Sequence, residues 1–240
     1  IILVITCCIY TYALLHGFRG ISFLAKACIY MFFGLLVYVL LFGGETKYII
    51  ETGLSSLGKV VQNFFELSTY ADPQRTSSFP QNWTIYYWAY WMVWCVATPF
   101  FIGTISKGRT IRQTVLGGYF FGLAGTFTSF IILGNYGLGL QTHGILDLMG
   151  LYRETGDLYQ AIIAVFETMP AARFGLILLA VTMIAFYATT FDALTMVASS
   201  YSYRSLDADE EPDKKVKLFW AITLMLFPIA LIFSENSMSS

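Results

Sequence analysis

The chain has 240 residues, 57% of them hydrophobic and only 12% charged, with a formal net charge of −1. A soluble domain carries about 25% charged residues, so half that share places this protein in a bilayer. The near-zero charge, without a basic cluster, excludes nucleic acid as an electrostatic partner.

A helix needs about 20 apolar residues to cross a hydrocarbon core of ~30 Å. Runs of that kind fall near 1–15, 21–43, 83–104, 114–137, 174–203 and 217–234. The expectation is therefore an all-α integral membrane protein with about six transmembrane helices in a single domain, residues 1–240, multi-pass in a cell (plasma or bacterial inner) membrane. The opening Ile1-Ile2-Leu3 lacks an initiator Met and a charged n-region, and reads as the middle of a longer chain truncated at both ends. Cys7, Cys8, Cys28 and Cys95 all lie in apolar runs without paired extracellular spacing or a metal-ligating His nearby, so they read as buried thiols.

Short breaks between the runs carry Arg19, then Lys107, Arg109 and Arg112, then Arg204, Lys214, Lys215 and Lys217. Cytoplasmic loops are short and rich in Lys and Arg, so these breaks face inside, and Lys26 can snorkel to the same side. The long breaks at 44–82 and 138–173 then lie outside. Within them Leu54, Leu57, Val61 and Phe64, and again Leu158, Ile162, Val165 and Met169, follow helical spacing; each set reads as a membrane-surface helix or as a lid. Asp72 to Pro80 is turn chemistry that delivers the chain to Trp83, and Asp207 to Asp213 is an acidic solvated connector. Gly118-x-x-x-Gly122 marks a small-residue face for close helix packing.

The most informative segment is Thr84-Ile85-Tyr86-Tyr87-Trp88-Ala89-Tyr90-Trp91-Met92-Val93-Trp94. On a helix Trp88, Trp91 and Trp94 stand at i, i+3 and i+6, on or near one face. An indole attracts a quaternary ammonium through its quadrupole, by about 0.5–1 kcal/mol when exposed and ~2 or more when desolvated, and a trimethylammonium group offers no N–H for any other contact. The competing reading is an interfacial aromatic belt. Trp91 and Trp94 fit a belt poorly, because they lie roughly 12–17 Å beyond Trp83 at 1.5 Å per residue.

A second constellation is Thr189-Thr190-Phe191-Asp192. A carboxylate inside a span costs about 2.5–3.5 kcal/mol on insertion scales, so Asp192 faces a cavity, an ion path or a hydrogen-bonding helix. The two threonines either return their hydroxyls to carbonyls one turn back or join carbonyls of a broken helix in an oxygen-lined sodium site. His16 and His143 are isolated. With no nucleophile–base pair, P-loop, HExxH or dinucleotide fingerprint, an enzyme has no candidate site; a membrane acyltransferase using Asp192 would need a His or Ser partner that this span lacks.

Trp83-Thr84-Ile85-Tyr86-Tyr87-Trp88-Ala89-Tyr90-Trp91 and Ile105-Ser106-Lys107-Gly108-Arg109-Thr110-Ile111-Arg112 resemble the signature blocks of the betaine/choline/carnitine transporters, and the resemblance extends over the whole chain. It implies a secondary active transporter of betaine, choline, carnitine or a sulfonium analogue, working by alternating access on the inverted-repeat fold of LeuT-type transporters. The chain would hold the second half of that fold, and a homotrimer is implied as well. By the resemblance Trp91 walls the substrate site with Trp94 deeper on the inner path, while Trp88 and Tyr90 belong to the same signature. Thr189 and Thr190 fall where sodium-coupled members supply hydroxyls to sodium, with the carbonyl of Phe186 as a third ligand and no other cofactor. Cys28 stands near a position where sodium-independent exchangers carry an arginine. Tyr90 in place of Trp, Pro99 displaced by about a turn, Thr104 in place of Arg and Gln113 in place of Glu depart from the family pattern, and they leave the inner pathway and the solute open.

Overall fold

A computed structural model describes residues 2–206 and 210–233, and their regular elements are all helical. In chain order they are α1 (Ile2–Leu15), α2 (Gly17–Phe42), α3 (Thr46–Gln62), α4 (Phe64–Thr69), a π-helical turn (Pro80–Ile85), α5 (Tyr86–Trp94) and α6 (Ala97–Ile105). There follow α7 (Ile111–Ser129), a second π-helical turn (Phe130–Gly134), α8 (Asn135–Thr142), α9 (Leu148–Thr155), α10 (Leu158–Glu167), α11 (Ala172–Tyr201) and α12 (Lys214–Phe233). Part of the acidic connector, 207–209, lies outside the described residues.

Among the described residues, α2, the continuous stretch Ile111–Thr142 and α11 are long and apolar enough to cross a membrane. The expected run at 83–104 adds a fourth only if α5 and α6 count together, because the helix breaks at Cys95 and Val96. The cause is Pro99, the third residue of α6, which has no N–H to give the carbonyl of Cys95. The remaining two expected runs correspond to α1, with 14 residues, and α12, with 20.

The chain divides into two compact units. The first takes Ile1–Gly34, Pro99–Lys107 and Ile177–Ser240. In it α1 packs on α12, joined by Cys7, Tyr10, Leu14, Ala188, Met196 and Ala221. Tyr10 is fully buried, so its hydroxyl needs a partner; it donates to the carbonyl of Ala221 at 2.6 Å, while its ring stacks on Phe191. Gly17, at φ +67°, turns the chain from α1 into α2, a conformation open to glycine at no steric cost.

The second unit takes Leu35–Thr98 and Gly108–Leu176. Here α3 lies against α8 and the turn before it, with Ile131 seated where a side chain on Gly53 would stand. Tyr136 meets the Thr168 hydroxyl at 2.6 Å, Tyr38 donates to the Pro170 carbonyl at 2.6 Å, and His143 pairs with Glu45 at 2.9 Å. Asp147 and Asp157 cap α9 and α10 by accepting from the backbone N–H groups of Gly150 and Tyr159. Thr110 and Gln113 form a capping box at the start of α7, a position where Gln serves as well as Glu; the departure at Gln113 leaves this helix start intact.

One expectation needs correction. Only Cys7 and Cys28 are buried; Cys8 and Cys95 are exposed, since one face of α1 packs and the break after α5 is open. The apolar stripe Leu54, Leu57, Val61 and Phe64 is exposed, and the buried residues of α3 are Ile49 and Gly53. In α10 the buried residues are Ala161 and Phe166, while Leu158 and Ile162 stay exposed. A side chain added at Gly118 or Gly122 would meet open space among the described residues.

Candidate functional site

The aromatic segment enters through the π-helical turn. One extra residue per turn there shifts the angular phase at which α5 begins. Ring pairs then run along the helix at i, i+4 spacing. Phe79, Trp83 and Tyr87 form one row at 6.3 and 6.1 Å between centroids; Tyr86, Tyr90 and Trp94 form a second, both steps at 6.1 Å. Tyr90 also meets Trp91 edge to face at 6.2 Å. The structure thus brings together Tyr90, Trp91 and Trp94, with Tyr90 at the junction. Trp88 is 71% exposed and makes no such ring pair among the described residues, whereas Trp91 is 62% exposed and stands perpendicular to the ring of Tyr90.

Sequence spacing emphasises the tryptophans and misses the Tyr86–Tyr90 step. The signal is there, since i and i+4 meet more directly on a helix than i and i+6. An edge-to-face contact at Trp91 occupies the edge of one ring and leaves indole π-face free, and that face carries the negative part of the quadrupole. Such a face can attract a cation without a hydrogen bond.

The hydroxyl turn lies in the other unit. Thr189 and Thr190 both donate to the Phe186 carbonyl, at 2.8 and 3.1 Å. Three oxygens are thereby gathered in one helical turn, and each hydroxyl keeps lone pairs for a cation. Thr190 is exposed and Thr189 half-buried, whereas Ala188 and Asp192 are fully buried. Thr190 therefore faces away from Asp192, whereas Thr189 stands one turn before it at the edge of the same side. Neither carboxylate oxygen of Asp192 has a hydrogen-bond partner among the described residues, so it is no hydrogen-bonded helix contact. Among the described residues no group of three or more His, Cys, Asp or Glu could hold a metal ion. Cys28 is buried, and Thr104, where the family pattern has Arg, returns its hydroxyl to the Phe101 carbonyl at 2.8 Å.

Outside the spans the most constrained group is Asp72. Its carboxylate is buried and accepts from the backbone N–H groups of Thr76, Ser77 and Ser78, at 3.1, 2.9 and 3.2 Å, and from the hydroxyls of Thr76 and Ser77. These donors, that of Ser77 foremost, hold it at about 2, below the usual carboxylate range. The N–H of Gly150 lowers Asp147 in the same way.

Long apolar helices define a helical membrane protein. A profile of the betaine/carnitine/choline family transporters matches residues 1–240, and the chain belongs to that family. It is 30% identical over 83% of its length to a carnitine transporter of Acinetobacter baumannii, and 32% identical over 90% to a glycine betaine transporter of Bacillus subtilis. It is 26% identical over 91% to a high-affinity choline transport protein of Escherichia coli. The chain spans 36, 41 and 32% of those relatives, well under half of each.

Proposed function

We propose that the protein carrying this chain is a secondary active transporter for a methylated onium solute, coupled to sodium and working by alternating access in a cell membrane it crosses several times. The observation that carries the reading is Tyr90, whose ring meets Trp91 at right angles at 6.2 Å and Trp94 at 6.1 Å, so that the three rings form one cluster. Two or three desolvated cation–π contacts at ~2 kcal/mol each offset much of the dehydration of the head group. A net of about −4 to −8 kcal/mol corresponds to millimolar to micromolar binding. The relatives' names, for carnitine, glycine betaine and choline, describe the same head group and support the reading.

Sodium would be held by the Thr189 and Thr190 hydroxyls and the Phe186 carbonyl, so that ordering this turn couples to solute binding. Solute uptake by cells expressing the full-length protein tests both parts. Uptake of betaine-like solutes is expected to require a sodium gradient and to be lost in Trp91→Leu with expression intact. Unchanged uptake in Trp91→Leu removes the aromatic site; sodium-independent uptake removes the coupling. A homotrimer belongs to the same reading, and crosslinking of the full-length protein in membranes is its check.

A further inference from the structure

The connector that joins α11 to α12 is anchored in two places by different chemistry. At its base Ser202 Oγ accepts from the indole N–H of Trp220 at 2.7 Å, and the Tyr203 hydroxyl accepts from the N–H of Asp213 at 3.0 Å. These neutral bonds tie the ends of the two helices together. Beyond them Glu211 reaches back to Lys217 on α12, with Nζ and Oε2 2.6 Å apart. The same carboxylate lies over Gly17, the first residue of α2, and a Cβ built there would stand 2.6 Å from both its oxygens. Gly17, at φ +67°, thus serves twice: it takes the turn and it leaves the carboxylate its place.

The two partners are unequally committed to their pair. The side chain of Lys217 is 2% exposed and that of Glu211 34%. A lysine is almost never fully buried unless paired, whereas a carboxylate already a third open to water loses little hydration by staying or leaving. Lys217 also lines an open cavity of about 680 Å³, with His16, Asp213 and Lys214 on its wall. When Glu211 withdraws, the ammonium can turn on its flexible stem into that cavity and be hydrated there, so neither charge is stranded. The neighbours on the wall are engaged locally: His16 Nδ1 meets the Tyr12 carbonyl at 2.8 Å, and the Asp213 carboxylate accepts from the N–H of Lys215 at 3.1 Å in the first turn of α12. The helix pair beneath has its own support, since α1 and α12 meet through Tyr10, Leu14 and Ala221, each 2% exposed or less.

We propose that Glu211 and Lys217 form an ionic latch that shuts residues 210–212 over the turn between α1 and α2, and that this arm opens while α1 and α12 stay packed. Closed, the latch seals the Lys217 ammonium; open, it presents that ammonium to the cavity. The bonds of Ser202 and Tyr203 hold the base of the connector in both arrangements.

Labelling of lysines in the purified full-length protein with an amine-reactive ester, read residue by residue by mass spectrometry, tests this without using solute uptake, so its outcome is separate from the transport reading. In the wild type Lys217 should react at least about tenfold more slowly than Lys214 and Lys215, which are exposed and serve as internal references. Glu211→Gln removes the charge; Gly17→Asn keeps a residue type that tolerates positive φ while adding the Cβ that evicts the carboxylate. Each variant should bring Lys217 to within roughly threefold of its two neighbours, as for an ammonium that has reached water. Hydrogen exchange over residues 2–15 should stay at the wild-type level in Glu211→Gln, and Lys217→Met should melt close to the wild type. Continued protection of Lys217 in either of the first two variants shows that the pair does not hold it and overturns the latch. Faster exchange along α1 in Glu211→Gln, or a large loss of thermal stability in Lys217→Met, reveals a brace on which the helices depend and overturns it equally.

Discussion

From Trp83 to Trp94 the side chains are mostly exposed rings that contact one another along the helix, whereas in α11 from Phe186 to Ser200 every Thr and Ser hydroxyl donates to a carbonyl one turn back. The first segment is chemically incomplete: ring faces attract cations or apolar surface, and stacking with neighbours engages only part of each ring. The second is satisfied by itself, so the hydroxyls of Thr195, Ser199 and Ser200 are buried at little cost. A solute would therefore complete the aromatic segment, while an ion would only use lone pairs that the hydroxyl turn already presents. Loss of a ring should cost more than loss of a hydroxyl.

The largest effect is expected at Trp91. Removing one desolvated cation–π contact of ~2 kcal/mol lowers solute affinity about 30-fold, which is loss of uptake at micromolar solute, and Trp91→Phe should keep part of it. Equal behaviour of Phe and Leu at this position would mean that volume matters and the π-face does not. Replacing both threonines, Thr189→Ala with Thr190→Ala, comes next. At about 1 kcal/mol for each lost hydroxyl, the sodium concentration for half-maximal uptake should rise roughly tenfold or more, and the Thr→Ser pair should restore it. A shift in solute affinity at saturating sodium instead would place the turn in the solute path. Trp88→Leu should change solute affinity by less than about twofold, since Trp88 lacks the ring partner that fixes Trp91; a Trp88 effect as large as that of Trp91 would erase the distinction between them.

The spans at α2 and α11 are legible in the sequence because continuous apolar character over a bilayer's width is what a lipid-facing helix requires and a water-facing one does not. The break at Cys95 and Val96 is legible from Pro99, while the π-helical entry to α5 is not, since no residue type demands it. Trp91 and Trp94 can be chosen from depth alone. Tyr90 stands out in the sequence only as a departure, a Tyr where the family pattern has Trp, yet it is the ring that links the other two. The buried faces of α3 and α10 escape the sequence for a common reason. Helical periodicity finds an apolar stripe, but not whether that stripe meets protein or lipid; in α3 the buried pair is Ile49 and Gly53, and Gly53, against which Ile131 packs, carries no hydropathy signal. Asp192 is conspicuous by its cost within a span, but spacing does not reveal that its carboxylate is fully buried without a hydrogen-bond partner among the described residues.

The smallest effect is expected away from both segments, in the turn that leads into the aromatic helix. Asp72, Arg75 and Ser78 all have positive φ, 43°, 53° and 54°, a backbone region that non-glycine residues occupy only when their surroundings enforce it. The enforcement is the Asp72 carboxylate, which gathers the backbone donors of Thr76, Ser77 and Ser78. Because those donors bind the charged form, its pKa lies at about 2, below the ordinary 3.8. The sign follows from linkage: the contribution to stability is fully present above the unfolded value and is lost as pH falls from 3.8 through about 2. Pepsin cleavage within 70–81 should therefore increase over that interval in the wild-type protein, and should already be high at its upper end in Asp72→Asn, whose amide is a weaker acceptor than the carboxylate. Equal cleavage of the two at pH 3.8 would mean that the cage does not hold the turn. Solute uptake near neutral pH should respond little to Asp72→Asn, because the turn sets where the aromatic helix begins and contributes no ring to its wall.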